Sequence, residues 1–152
     1  MSAEVQLLAF HLDRERYGLP LASVERVVRI VEITSLPKAP EIVLGLINVQ
    51  GRVIAVVDVR KRFRLPQREA TLSDSLIIAR TPARAVALVA DSVTGVVECT
   101  ERETVSARAI VPGMEYVEGV AKLGDGMILI HDLGRFLSLD EERRLDEAIA
   151  HA

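Results

Sequence analysis

The sequence predicts an all-β protein made of two similar barrels packed together, and three observations carry that expectation. Apolar residues gather in short segments rich in Val, Ile and Leu and bounded by turn residues, at 5–10, 53–57, 75–79, 85–90 and 127–130. Such runs read as strands. Asn48-Val49-Gln50-Gly51 precedes one of them and Leu123-Gly124-Asp125-Gly126 another, so each half holds a hairpin whose glycine makes positive φ cheap. The chain also resembles itself. A shift of 69 sets Leu19, Ser23, Val24, Val27 and Val28 on Leu88, Ser92, Val93, Val96 and Val97. A shift of 74 then sets Gly45, Ile54 and Asp58 on Gly119, Ile128 and Asp132. Each copy is too short to bury a good core alone, which implies two packed barrels.

Taken in order, the chain opens with a strand over 5–12. Leu21, Val24 and Val27 then recur at helical spacing among polar neighbours, as core or as a docking stripe. Pro37 and Pro40 mark a loop. Asp58 and Asp132 follow apolar strands and precede short amphipathic stretches, where an aspartate accepts amide hydrogens as an N-cap. Pro66-Gln67-Arg68-Glu69 is a polar break, and the halves join near 64–74. The one clear helical period is terminal: Ser138 and Glu141 form a capping box, and Leu145, Ala148 and Ile149 share a face. A helix over 139–150, packed through Leu145 and Ile149, follows.

Composition narrows the function. At 152 residues, 49% hydrophobic and 27% charged, the chain is one domain with a real core. Its single cysteine, Cys99, can form neither an internal disulfide nor a cysteine-cluster zinc site and reads as a small core hydrophobe. The first residues lack the charged and apolar regions of a signal peptide, and no apolar run is long enough to span a bilayer, so an intracellular protein without membrane insertion is expected. A net charge of -3 with 3% aromatics and no Trp argues against nucleic acid.

No catalytic motif stands out. His11 with Asp13, and His131 with Asp132, suggest a His-carboxylate site only on paper, since neighbours on a strand point to opposite faces. The dense basic run Arg60-Lys61-Arg62-Phe63-Arg64, with Arg68, could face an acidic partner or simply be solvated. An RNA-binding module using that run and a small hydrolase using His131 are the rival classes.

The residues resemble the CheW-like family of bacterial chemotaxis coupling proteins. The matching text is Tyr17-Gly18-Leu19-Pro20-Leu21, Val24-Glu25-Arg26-Val27, Leu36-Pro37-Lys38-Ala39-Pro40, the run from Gly45 to Arg60 and Val89-Ala90-Asp91-Ser92-Val93-Thr94-Gly95-Val96. The resemblance implies two tandem SH3-like five-stranded β-barrels with short helices and a C-terminal helix, one domain over 1–152. It divides into subdomains at about 14–66 and 74–138, with the N-terminal strand crossing between them. It implies no enzyme activity, no cofactor and no metal, a cytoplasmic location with recruitment to membrane-associated receptor arrays, and two partners. These are a CheA-type histidine kinase regulatory domain and the cytoplasmic tip of a methyl-accepting chemoreceptor, in a flagellar or in another surface-behaviour pathway. Carried over by position, Leu8, Leu21, Val24, Val27 and Val93 line a receptor groove, while Gly45, Asn48, Gln50 and Gly51 face the kinase. Gly45→Asp is therefore expected to harm binding more than folding. The chain departs from the family pattern at Gln50, where Arg is usual, at Ala55, where Pro is usual, and at Arg26, where a relative can carry Glu on a partner-facing helix.

Overall fold

A computed structural model describes residues 4–106 and 116–151. The first repeat supplies β1 (Glu4–Leu12), β2 (Glu15–Pro20), β3 (Val24–Arg29), β4 (Val43–Val49), β5 (Arg52–Val57) and the one-turn helix α1 (Val59–Arg62). The second supplies β6 (Ser75–Arg80), β7 (Ala85–Ala90), β8 (Ser92–Thr100), β9 (Thr104–Ser106), β10 (Val117–Leu123), β11 (Gly126–His131) and a 3-10 turn at Leu133–Arg135, before helix α2 (Leu139–Ala150). The all-β class expected from the sequence is what these strands form, in a six-stranded sheet ordered β8-β1-β2-β11-β10-β9 and a five-stranded sheet ordered β3-β6-β7-β5-β4.

The sheets do not follow the sequence halves. Strands β1 and β2 of the first repeat pair with β8 and β11 of the second, while β6 and β7 of the second pair with β3 and β5 of the first. The repeats have exchanged their first two strands. The division at 14–66 and 74–138 therefore describes the repeats and not the barrels, which take 24–90 for one sheet and 4–20 with 92–131 for the other. Irregularities recur with the pairings. Register shifts fall between Val24 and Arg26 on β3 and between Ala9 and Phe10 where β1 faces β8. They recur between Val43 and Gly45 on β4 and between Val117 and Gly119 on β10. Even the short β9 has its counterpart, a bridge from Thr34 to Leu46.

This topology explains the burial. Leu7 and Ala9 on one face of β1 enter the cluster inside the six-stranded sheet with Cys99, Ala121, Ile128 and Ile130. Their repeat equivalents Leu76 and Ile78 join Ile47, Ile54, Val56 and Ala87 inside the other. The opposite face of β1, with Leu8, Phe10 and Leu12, belongs to a third cluster shared by both sheets, with Val57, Ile77, Leu88 and Leu145. A strand buried on both faces shows a continuous apolar run rather than alternation.

Two expectations for local structure need correction. Residues 21–28 are not a helix: a 3-10 turn at Leu21–Ser23 leads into β3. The bulge at Glu25 adds a residue to one strand, so Val24 packs on the shared cluster and Val28 on the inner one, and period two becomes an apparent period three. Helix α2 forms with the Ser138 and Glu141 capping box, and its first-turn carboxylates suit the helix dipole. It packs through Leu145 and Ala148, leaving Ile149 40% exposed rather than packed. Arg62 and Arg84 clamp it to the five-stranded side through Glu141 and Glu142, both at 2.7 Å, with Arg84 also on Asp146.

Candidate functional site

The candidate receptor residues lie where the chain crosses between sheets. After β2 it passes through Leu21–Ser23 into β3, and after β7 it passes through Asp91 into β8. Leu21, Val24 and Val93 rest partly buried on the shared cluster. Val27 is 39% exposed, and its repeat equivalent Val96 is 52% exposed. Leu8 is a core residue of the same cluster and is only 6% exposed. The sequence signal for Val96 is the repeat itself, which sets it on Val27. Strands β3 and β8 are also the terminal strands of their sheets, with no strand paired on their outer edge among the described residues.

The second candidate surface is the β4–β5 hairpin end. Val49 pairs with Arg52 across Gln50 and Gly51, whose φ values of 51° and 82° fit a type I′ turn. Asn48 Oδ1 accepts from the Gly51 amide at 2.8 Å and locks it. Asn48, Gln50 and Gly51 are exposed, but Gly45 is not. A Cβ at Gly45 would stand 2.2 Å from the Thr34 carbonyl oxygen, as one at Gly119 would stand 2.7 Å from that of Val105. The glycine is required by a neighbouring strand, and a substitution there strikes the fold first. That reverses the expectation for Gly45→Asp.

The basic run is largely consumed inside the molecule. Arg60, 8% exposed, binds Asp13 at 2.8 Å and Asp91 at 2.7 Å. Lys61 meets Glu41 at 3.2 Å, and Arg62 lies 4.7 Å over the Tyr116 ring while binding Glu141. Arg68 joins the cluster through Asp74 at 2.8 Å and through Asp91. Burial alone would raise the Asp91 carboxyl, but hydrogen bonds from Arg60, the Asp13 amide and Arg68 hold it below its usual range. These bonds join the β1–β2 turn, α1, the inter-repeat connector and the β7–β8 crossover.

The histidine-carboxylate pairs do not assemble. Asp13 is committed to Arg60, and His131 is fully buried against Phe63 at 4.4 Å, with Phe10, Tyr17 and Phe136 around it. Neither of its ring nitrogens has a hydrogen-bond partner. Burial pushes its pKa down to about 3, so the ring is a neutral core side chain. Asp58 caps α1 by accepting from Lys61 N at 3.0 Å, whereas Asp132 makes no such bond to its 3-10 turn. Burial, with Glu103 nearby, pushes the Cys99 thiol up, as expected of a small core hydrophobe. Among the described residues, no group of His, Cys, Asp or Glu could hold a metal, and no helix is long and apolar enough to cross a membrane.

Comparison with known proteins decides the family: residues 6–141 match the model of the CheW-like domain. The chain belongs to the CheW-like family. Among curated relatives, the protein named Chemotaxis protein CheW from Treponema pallidum is 26% identical over 150 residues, covering 93% of this chain and 87% of that protein. The one of the same name from Thermotoga maritima is 28% identical over 134 residues, covering 88% of each. The crystal structure of the scaffolding protein TtCheW from Thermoanaerobacter tengcongensis superposes with a TM-score of 0.82 at 31% identity, covering 93% of this chain and 96% of that one. The CheW-like match begins within β1 and takes in the remaining described strands of both sheets.

Proposed function

We propose that this protein is a non-enzymatic adaptor of a bacterial chemosensory array, coupling the cytoplasmic tip of a chemoreceptor to the regulatory domain of a CheA-type histidine kinase. The observation that carries the reading is the family match across both barrels, supported by relatives named for chemotaxis and by the likeness to a scaffolding protein. In this reading a receptor helix hairpin lies along Leu21, Val24, Val27, Val93 and Val96 at the crossovers, an apolar face of the kind that helix-in-groove contacts use. The kinase domain meets the β4–β5 end at Asn48, Gln50 and Gly51. The RNA-binding alternative loses its main support because Arg60, Lys61 and Arg62 already face carboxylates of the same chain.

Titrating a receptor-tip fragment into Val24→Ala and Val27→Ala tests the groove. Each truncation should weaken binding by about 1 to 2 kcal/mol, and Val27→Ala, which removes an exposed methyl pair, should leave the melting temperature unchanged. A loss of stability with unchanged affinity of the folded protein would show that the two valines serve packing alone.

A further inference from the structure

The β4–β5 turn closes against β3 over a cavity of about 120 Å³. Its rim is Glu25, Arg26, Gln50 and Arg52, and its floor includes the buried Ile54 and Ile78. The cleft is partly open to solvent and of a size that suits one short side chain. Charge around it is uneven. Arg52 grips Glu25 in a fork, at 2.6 and 3.2 Å, and Arg80 approaches the same carboxylate at 3.5 Å. Arg26 instead donates to the neutral amide oxygen of Gln50 at 3.2 Å. Two guanidiniums thus share one carboxylate, and Arg26 has no carboxylate partner among the described residues. Guanidinium carries five donors and no acceptor, so most of its capacity remains open. Val53, 62% exposed, follows Arg52 at the same tip.

Two of the three departures noted in the sequence, Arg26 and Gln50, therefore touch each other. With Gln at 50, the guanidinium left without a carboxylate at this hairpin end comes from the neighbouring strand, at Arg26. We propose that the notch is a specificity pocket for a single Asp or Glu side chain of the protein partner, with the carboxylate on Arg26 and its methylene carbons over Ile54 and Ile78. The proposal rests on the reading that this hairpin end faces the kinase. A protein carboxylate is favoured over nucleic acid because the pocket holds one group and not a row of phosphates, and because the chain carries a net charge of -3.

The test is a titration of the full-length protein, with its Arg26→Glu, Arg26→Gln and Val53→Asp variants, against the regulatory domain of the CheA-type kinase from the same organism at low and high ionic strength. Both positions are exposed, and melting curves confirm that each variant is folded. Arg26→Glu should weaken binding about tenfold or more, and Arg26→Gln by less while flattening the dependence on salt. Reversing the contacting carboxylate on the kinase domain should restore binding to Arg26→Glu. If Val53→Asp abolishes binding while Arg26→Glu binds like the wild type, the face is right and the carboxylate pocket is refuted. If all variants bind like the wild type, or the wild type does not bind, the kinase-facing reading falls and takes the pocket with it.

Discussion

Replacing His131 by Phe should change the pH dependence of stability in a defined window. The imidazole is fully buried among Phe10, Tyr17, Phe63 and Phe136, with both nitrogens unpartnered. Tyr17 is the other titratable ring there, and burial pushes it up to about 12, so it stays neutral throughout. The His131 pKa is 6.5 when unperturbed and about 3 in the fold, so the unfolded chain takes up the proton first. Stability is therefore lost as pH falls below 6.5, and the loss continues until about 3. At about 1.4 kcal/mol per decade, the drop between pH 7 and pH 5 is about 2 kcal/mol, rising to about 5 kcal/mol at the acid limit. Phe cannot take the proton. At pH 7 the variant should also gain about 1 kcal/mol by removing unsatisfied buried nitrogens, less whatever its larger ring costs in packing. Urea denaturation of both proteins at pH 7 and pH 5 reads the difference, and the paired carboxylates, which titrate lower, cancel in the comparison. Equal losses for wild type and His131→Phe would refute the reasoning.

Three further substitutions test the frame. Gly45→Ala should cost on the order of 3 kcal/mol, because its Cβ must displace the Thr34 backbone. Gly51→Ala, with open space around it but a φ of 82°, should cost about 1 kcal/mol, and denaturant midpoints that rank them the other way would contradict the close approach. Asp91→Asn should cost about 2 kcal/mol, since it leaves Arg60 half paired but the Asp91 side chain is 23% exposed. Thermal melts at low and high salt should show the variant losing the wild type's salt sensitivity, and an unchanged midpoint would mean that the cluster contributes nothing to holding the sheets together.

The hairpins, the repeat and the terminal helix were legible because each has a local signature: a glycine turn, a matching run or a capping box. The fate of β3 was not. Its apolar spacing imitates a helix because the bulge at Glu25 turns Val24 and Val28 toward different clusters, and a bulge leaves no mark in one sequence. Leu8 looked like a groove residue and proved to be core because the second face of β1 is covered by the other barrel. The repetition of Gly45 as Gly119 carries the same sequence signal for function as for a close backbone approach, and the structure shows the latter at both. Partners of the basic run were hidden by distance, with Arg60 and Asp91 set 31 residues apart. The pairing of Arg26 with Gln50 joins two positions that looked like separate departures until β3 and the hairpin were placed side by side.

The exchange of strands between repeats bears on how the chain is made. Tyr17 on β2 takes Leu129 on β11 as its parallel neighbour, and Glu4 on β1 takes Thr100 on β8. A ribosome adding roughly 5 to 20 residues per second delivers those late strands on the order of ten seconds after the early ones. During that interval the β4–β5 hairpin can close with its local partner, while β1 and β2 form a two-stranded ribbon with both apolar faces open to water. On a crowded message the ribbon of a trailing nascent chain meets the newly emerged β8 to β11 of the chain ahead, and the same pairings that complete one molecule then link two.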